Sequence, residues 1–419
     1  MQRNSYFSRL WIAILALTVA GCGGSSSGSS QAPLTGLSKR VLVSNSENGT
    51  VSFVDAKKDQ LNAKTLAAPS ATKMLTAGGT TIAMDSAGSQ ITIIDNATEA
   101  VTFNAAIGDQ PFDIAISPDG KTAWAAMRNF GFVQAVSTTT GLANPVFRIG
   151  NARRLVMSPT GTKLLVFPDP QAQTAPNTHT FFVLDTTTGF LQTITDPVHL
   201  DQPFTAVFGT SDTQAFILNC GAECGGTTAS VVSVDFTGGA QNFGNNLQVA
   251  GATVASLSGT TLYVAGTPPA SSTFPVAACP LSRCGQLTVV NVSSAGAPSA
   301  GAPIPITDGL HETMALTTTG RVYIGATGCS VEPGAAPTTI RGCLTIFNIT
   351  SSTTIFPTES SFRQNFNVTG LVPITGRNAI YVVQAGALDI FDTSTDALET
   401  GITAIDIIGN AQDAVLLDP

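Results

Sequence analysis

The feature that most restricts the fold of this chain is an internal repeat that runs from about residue 38 to the C-terminus. Each copy reads as an apolar strand, a turn with Gly or Asp, a second strand, a loop, and a third strand that ends near Asp or Asn. The clearest copy begins at Gly108 with GDQPFDIAISPDGKTAWAAMRN and continues with FVQAVSTTTG. The period is roughly 40 to 55 residues, which is typical of a repeated supersecondary unit.

The composition of the repeats favours β-structure. Aromatic residues make up 7% and charged residues 11% of the 419 residues, while Gly is abundant. This mixture suits short strands joined by tight turns. The strands either alternate apolar with polar residues or are apolar throughout, as in sheets that are packed on both faces. We therefore predict an all-β fold with no helix of consequence.

The repeats resemble the YVTN type of β-propeller repeat, which shares features with lactonase-like propellers. In that family a blade opens with Gly-x-x-Pro, turns at Ser-Pro-Asp-Gly, continues with a strand containing Tyr-Val, and closes on Asp and Thr-Gly. The matching positions in this chain are Gly108, Pro111, 117–120, Asp185, Thr188, Gly189, Tyr263, Val264, Tyr323, Tyr381 and Val382. The resemblance implies one β-propeller over residues 38–419, and it implies little about function.

The number of copies favours eight blades, although seven is commoner among relatives of this kind. The first copy, RVLVSNSENGTVSFVDAKK, lacks an opening strand. The last residues, IIGNAQDAVLLDP, resemble an opening strand with nothing after it. We therefore predict that residues 413–417 complete the sheet begun at Val41, so that the C-terminal strand pairs into the first blade and closes the ring.

The N-terminal segment has the layout of an export signal. Arg3 and Arg9 precede an apolar stretch, 10–20, which is too short to span a bilayer. Val-Ala-Gly before Cys22 resembles the lipobox of bacterial lipoproteins, in which the signal is cut before the cysteine and the thiol then carries lipid. An ordinary secretory signal with a chance cysteine is the alternative.

The lipobox implies three segments and a location. We predict a signal peptide over 1–21, a lipidated Gly/Ser-rich tether over 22–37 and the propeller over 38–419. Lipid on Cys22 would anchor the chain to a membrane of the bacterial cell envelope. Gly23, rather than Asp, follows the cysteine, which favours the outer membrane, with the side of the membrane left open.

Six further cysteines are grouped in close pairs: Cys220 with Cys224, Cys279 with Cys284, and Cys329 with Cys343. An even number of paired cysteines in an exported chain predicts three local disulfides. A zinc site is the competing interpretation, but the usual two-residue spacing is absent. No metal ion or cofactor is assigned.

The charge balance excludes one class of partner. The net charge is −8, whereas proteins that bind nucleic acid usually present a basic face. We therefore predict no nucleic-acid partner.

Four loops between the second and third strands of consecutive blades are long: 168–178, 219–228, 267–285 and 327–342. All three cysteine pairs lie in these insertions, except that Cys343 directly follows the fourth. They are either tolerated surface insertions or a rigid rim that binds a protein or a glycan.

The histidines suggest an alternative site near the axis of the same face. His199 and His311 both lie in connections between blades, with Asp201 and Glu312 beside them. Such a set could bind a metal or perform acid–base catalysis. No other catalytic signature is present.

We therefore interpret the protein as a binding or interaction module that acts through its loop-rich, disulfide-stapled face. The alternative is a lactonase-like or other hydrolase with an axial site near His199 and His311, so that enzymatic activity stays open. A third option is a structural member of an envelope complex that uses its blade edges.

Overall fold

The computed structural model describes residues 33–127, 129–170, 177–239, 241–269, 279–292, 298–360 and 366–418. The predicted signal peptide, Cys22 and residues 23–32 of the tether lie outside these ranges. The chain divides into two compact units, Met1–Pro33 and Leu34–Pro419, and every described strand belongs to the second. Among the described residues, no helix has the length and apolarity to cross a membrane.

The described residues confirm the all-β prediction. They form eight antiparallel sheets of four or five strands and one smaller sheet. Sheet 1 consists of β1 (Arg40–Asn45), β2 (Thr50–Asp55), β3 (Gln60–Ala67) and β38 (Ala411–Leu416). Sheet 2 consists of β4 (Ala71–Ala77), β5 (Thr80–Asp85), β6 (Gln90–Asp95) and β7 (Ala100–Ala106). Sheet 3 consists of β8 (Pro111–Ile116), β9 (Thr122–Met127), β10 (Phe132–Ser137) and β11 (Ala143–Arg148).

The next three sheets contain the first three long insertions. Sheet 4 consists of β12 (Ala152–Met157), β13 (Lys163–Pro168), β14 (Thr180–Asp185) and β15 (Leu191–Thr195). Sheet 5 consists of β16 (Pro203–Phe208), β17 (Gln214–Asn219), β18 (Ser230–Asp235), β19 (Asn242–Phe243) and β20 (Leu247–Gln248). Sheet 6 consists of β21 (Val254–Ser258), β22 (Thr261–Gly266), β23 (Gly285–Asn291), β24 (Ser299–Ala300) and β25 (Ile304–Ile306).

The remaining strands form two more large sheets and an accessory one. Sheet 7 consists of β26 (Leu310–Leu316), β27 (Arg321–Thr327), β30 (Leu344–Asn348) and β31 (Thr353–Ile355). The accessory sheet consists of β28 (Glu332–Pro333), β29 (Thr339–Arg341) and β32 (Thr358–Ser360). Sheet 8 consists of β33 (Val368–Ile374), β34 (Ala379–Gln384), β35 (Ala387–Asp392), β36 (Ala397–Leu398) and β37 (Ala404–Ile405).

The first strands of the eight large sheets contact one another in a circuit. Each contacts its neighbours in the order β38, β4, β8, β12, β16, β21, β26, β33 and again β38. The C-terminal strand β38 pairs antiparallel with β1, with Val41 opposite Leu416 and Val43 opposite Ala414. We interpret sheets 1–8 as blades and this pairing as the closure of the ring. The count of eight is an interpretation of the circuit.

The apolar core lies between neighbouring sheets. Trp124 of β9 packs in one cluster with Leu164 of β13, and Val41 of β1 packs with Tyr381 of β34. Both faces of most sheets are covered in this way, which explains why strands such as β13 and β34 are apolar along most of their length.

Strand direction assigns each loop to one of two faces. Because neighbouring strands are antiparallel, the loops from second to third strand lie at the same end as the connections to the next sheet. We call this end the insertion face. The described parts of all four predicted insertions lie there, in sheets 4–7, and part of the fourth forms β28 and β29 of the accessory sheet. The turns from first to second and from third to fourth strand lie at the other end, the opposite face.

Candidate functional site

The three predicted disulfides are present in three successive sheets. Cys220–Cys224, Cys279–Cys284 and Cys329–Cys343 have S–S distances of 1.99, 2.05 and 2.02 Å. They lie in the insertions of sheets 5, 6 and 7. We call the three disulfide-bonded loops, 220–224, 279–284 and 329–343, the disulfide rim.

The first loop of the disulfide rim is joined to the start of the third insertion, 267–285. Glu223 lies between Cys220 and Cys224, and its Oε2 accepts a hydrogen bond of 2.9 Å from the backbone N–H of Thr267. The hydroxyl of Thr267 in turn donates to the carbonyl of Gly309, at 2.8 Å. Burial raises the pKa of Glu223 to about 8, so its carboxyl group is largely neutral at pH 7.

The second and third loops are joined in the same manner. The backbone N–H of Ser282 donates to Glu332. Asp308, in the connection between sheets 6 and 7, accepts hydrogen bonds from the backbone N–H and hydroxyl of Ser330, at 2.7 and 2.8 Å. The guanidinium of Arg283 lies 3.9 Å from the same carboxylate. The disulfide rim is therefore held by contacts between its loops as well as by the bond within each loop.

An axial cavity of about 590 Å³ lies at the insertion-face end of the first strands. Its lining includes Lys73 and Met74 of β4, Arg154 of β12, Glu312 of β26, Gly370 of β33 and Asp413 of β38. These residues lie in the first half of strands that begin at the insertion face. Thr327, the last residue of β27, reaches the cavity from the same end.

Charged groups cross the cavity and line its wall. Arg154 of sheet 4 forms an ion pair with Glu312 of sheet 7, and Lys73 forms one with the buried Asp113 of β8. Asp413 accepts hydrogen bonds from the backbone N–H groups of Met74 and Ala414, at 2.7 and 2.8 Å. Burial raises the pKa of Asp413 to about 7, against the opposing effect of these hydrogen bonds and of Lys73.

The structure separates the residues that the sequence suggested as an axial set. The ring of His199 stacks on Phe243 with centroids 5.1 Å apart, and its Nδ1 lies 2.8 Å from Asp196. Phe243 belongs to the outermost part of sheet 5, so His199 lies away from the axis. Asp201 accepts hydrogen bonds from Thr227 and Thr228 and thereby orders the first loop of the disulfide rim.

The remaining two residues of that set point in different directions. The imidazole of His311 is completely buried, and its Nε2 lies 2.9 Å from the carbonyl of Thr307. Glu312, the next residue, lines the axial cavity, because consecutive side chains of a strand point to opposite sides. The axial grouping is therefore corrected: of the four residues, only Glu312 lines the cavity. No group of three or more His, Cys, Asp or Glu within the described part of the chain could hold a metal ion.

The buried His311 is expected to make the fold sensitive to acid. Burial lowers its pKa from 6.5 to about 4. Between pH 6.5 and 4 the unfolded chain binds a proton that the folded chain excludes, so stability falls as the pH is lowered through this window, by about 3 kcal/mol. Chemical denaturation at a series of pH values should show that the free energy of unfolding of His311→Asn lacks this fall between pH 6.5 and 4. If the free energy of unfolding varied with pH in the same way for both proteins, the acid sensitivity would not come from His311.

Sequence reasoning missed most of the cavity residues, although a signal was present. Lys73, Arg154 and Asp413 of the cavity are each a charged residue at the third position of an opening strand, as is Asp113, which pairs with Lys73. A charge at the same place in several repeats indicates a position that faces the axis instead of the core between sheets.

Comparison with known proteins agrees with this arrangement. No family model matches the sequence, and no curated protein matches it. The β-propeller domain of Cps50 (Swd1) from Myceliophteria thermophila superposes with a TM-score of 0.54 and 11% identity, over 79% of this chain and 98% of that domain. The fold is a β-propeller.

Two further propeller-like neighbours have similarly low identity. Apo AztD from Citrobacter koseri gives a TM-score of 0.55 at 9% identity, over 90% of this chain and 98% of that one. The dihydro-heme d1 dehydrogenase NirN, solved in complex with DHE, gives 0.58 at 13% identity, over 90% and 75%. At such identities the likeness concerns the fold alone.

Proposed function

We propose that this protein is a binding module of the bacterial cell envelope that captures a protein partner through the disulfide rim of its propeller. The observation that carries the proposal is the rim itself. Three loops from successive blades are each closed by a disulfide. The second and third loops are bonded to each other, and the first is bonded to Thr267 in the insertion that carries the second. The three loops lie at the end of the axis where the polar cavity is found.

The cross-linking of the rim favours binding for an energetic reason. Long loops lose conformational entropy when a partner orders them, and this loss weakens association. Disulfides and hydrogen bonds within the rim restrict the loops before the partner arrives. Surface insertions without a function would need no hydrogen bonds from one insertion to another, such as those of Glu223 to Thr267 and Ser282 to Glu332.

The exposed side chains of the rim fit a protein partner. Arg283 exposes 64% of its side chain, and Val331 in the neighbouring loop is 46% exposed. A guanidinium beside an exposed apolar group is a combination enriched at protein interfaces. A glycan is the other class of ligand that the sequence suggested. The capture experiment described below distinguishes a protein partner from a glycan.

The location is part of the same proposal. The lipobox at Cys22 supports a lipid anchor, and three disulfides support an oxidising compartment outside the cytoplasm. Gly23 after the cysteine supports the outer membrane.

The test is capture of a cross-linked partner from an envelope extract. Arg283→Ser with Val331→Ser should reduce capture by about tenfold or more, since each substitution removes an interface group worth roughly 1–2 kcal/mol. The matched control is Lys121→Ser with Val146→Ser, which removes a cation and a half-exposed valine away from the insertion face. Equal capture by the two variants would contradict the proposal. Loss of the signal after glycosidase but not protease treatment would assign the ligand to glycans.

A further inference from the structure

The described chain begins on the face opposite the insertions. The backbone N–H and the hydroxyl of Thr35 donate to the two carboxylate oxygens of Glu99, both at 2.6 Å. Glu99 lies in the turn between β6 and β7, the third-to-fourth turn of sheet 2. The described part of the chain therefore begins at the opposite face, beside this turn.

Several ion pairs fix the start of the described chain to the propeller. Glu99 is almost fully buried and pairs with Arg40 and Lys64, each at 3.1 Å. Burial opposes the charge of Glu99, but the hydrogen bonds from Thr35, Lys64 and Arg40 outweigh it and keep its pKa below the usual range. Arg40 also binds Asp418 through Nε and Nη2, both at 2.8 Å. The first described residues are thus fixed to the body of the propeller.

Exposed apolar side chains lie on the same face, at the start of the described chain and in turns of sheets 3 and 4. Leu34, Leu142 and Phe190 are 60%, 61% and 66% exposed. Leu142 and Phe190 occupy the same position in the third-to-fourth turns of sheets 3 and 4, directly after a glycine with positive φ. The corresponding turn of sheet 1 carries the exposed Lys57 and Lys58. We call these five residues the tether-side arc.

The glycines explain why the apolar side chains point outward. A side chain at Gly141 would collide with the ring of Phe103 in the outer strand of sheet 2, at 2.7 Å. A Cβ at Gly189 would lie 3.7 Å from the ring of Phe147 in the outer strand of sheet 3, which is an ordinary contact without collision. Each turn is therefore seated on the preceding blade, and the residue after the glycine is left facing solvent.

The carboxylates near the arc are engaged within their own turns or by arginine. Asp59 pairs with Arg377, and Asp119 lies 3.7 Å from Lys121. The other three carboxylates accept hydrogen bonds within their own turns: Asp55 from the backbone N–H of Lys57, Asp95 from the hydroxyl of Thr98, and Asp185 from the hydroxyl of Thr187. Lys57 and Lys58 form no ion pair with another described residue. The arc thus combines solvated ammonium groups with apolar side chains, a pattern suited to the boundary between water and lipid.

We propose that the tether-side arc rests on the lipid surface, so that the insertion face points away from the membrane. This inference depends on the proposed lipid at Cys22. About a dozen residues separate Cys22 from Leu34, and a chain of that length spans at most about 40 Å even when fully extended. The anchored chain therefore keeps the opposite face, where its first described residues lie, within reach of the headgroups, and it leaves the disulfide rim free to bind.

Two matched tryptophan variants of the lipidated mature chain, which begins at Cys22 and so lacks Trp11, test the orientation. Phe190 lies on the arc, whereas Phe130, 62% exposed, lies in the second-to-third loop of sheet 3 on the insertion face. Each is replaced by Trp, and the chain is bound to phosphatidylcholine vesicles whose acyl chains carry bromine. Phe190→Trp should lose about half or more of its added fluorescence, because a side chain at the interface lies within about 5–10 Å of the acyl boundary. Phe130→Trp should lose none. The parent protein supplies the background from Trp124, which is buried.

Each other result overturns the inference. Equal or stronger quenching of Phe130→Trp would show that the insertion face contacts the lipid. Absence of quenching in both variants would show that the propeller does not contact the lipid. A mature chain without lipid on Cys22, as seen by mass spectrometry, would remove the anchor. A dimer in sedimentation that is lost in Leu142→Ser with Phe190→Ser would assign the arc to a second copy of the chain. Partner capture by the disulfide rim is measured separately, so its proposal can stand when this one fails.

Discussion

Deletion of residues 410–419 is expected to lower the melting temperature by about 10 °C or more, or to abolish the folded state. The deletion removes β38, whose Ala411 and Ala414 pack in the core between sheets 8 and 1. It leaves β1 without a partner on its inner side and removes the ion pair of Asp418 with Arg40. It also leaves β4 and β33 without the strand that lies between them. Differential scanning calorimetry measures the effect.

The control is a deletion of equal length at the other end. Removal of residues 23–32 from the predicted tether should leave the melting temperature of the propeller unchanged, because those residues precede the compact unit that contains the strands. A similar melting temperature for the two deletions would contradict the structural importance of the C-terminal strand.

Removal of the Cys329–Cys343 disulfide is expected to lower the free energy of unfolding by about 3 kcal/mol, because a loop of this length regains its entropy in the unfolded chain. The paired substitution Cys329→Ala with Cys343→Ala keeps the site apolar, which matters because Cys343 is buried in the core between sheets 7 and 8. Denaturant titration under non-reducing conditions provides the measurement.

The shorter bridge between Cys279 and Cys284 serves as the comparison. This bridge closes a smaller loop. Its removal should therefore lower the free energy of unfolding by about 2 kcal/mol in the same loop-entropy treatment. Cys279 lies on the exposed part of the rim, so little packing is lost with it. A larger loss for this bridge than for Cys329–Cys343 would show that strain or packing, rather than loop length, governs the stability of the rim.

Local patterns were sufficient to predict the strands and the positions of the loops. Strands such as β9 and β34 bury side chains on both faces of a sheet. Burial on both faces requires a run of mostly apolar residues, and such runs can be recognised in the sequence. Turns such as the one at Gly120 require positive φ, which glycine supplies. The pairs of cysteines, close in sequence and outside the strands, also predicted the three bridges.

The sequence by itself therefore determined that this chain forms repeated units of short strands with long, stapled loops at one end. Only the tertiary structure decided which side chains meet across those units. His311 and Glu312 are neighbours in sequence, yet one is buried beside Thr307 and the other reaches Arg154, distant in the chain. The contact of Thr35 with Glu99, at the start of the described chain, was equally invisible. The physical reason is that the secondary structure follows from local periodicity, whereas contacts across an axis depend on the register and placement of whole sheets.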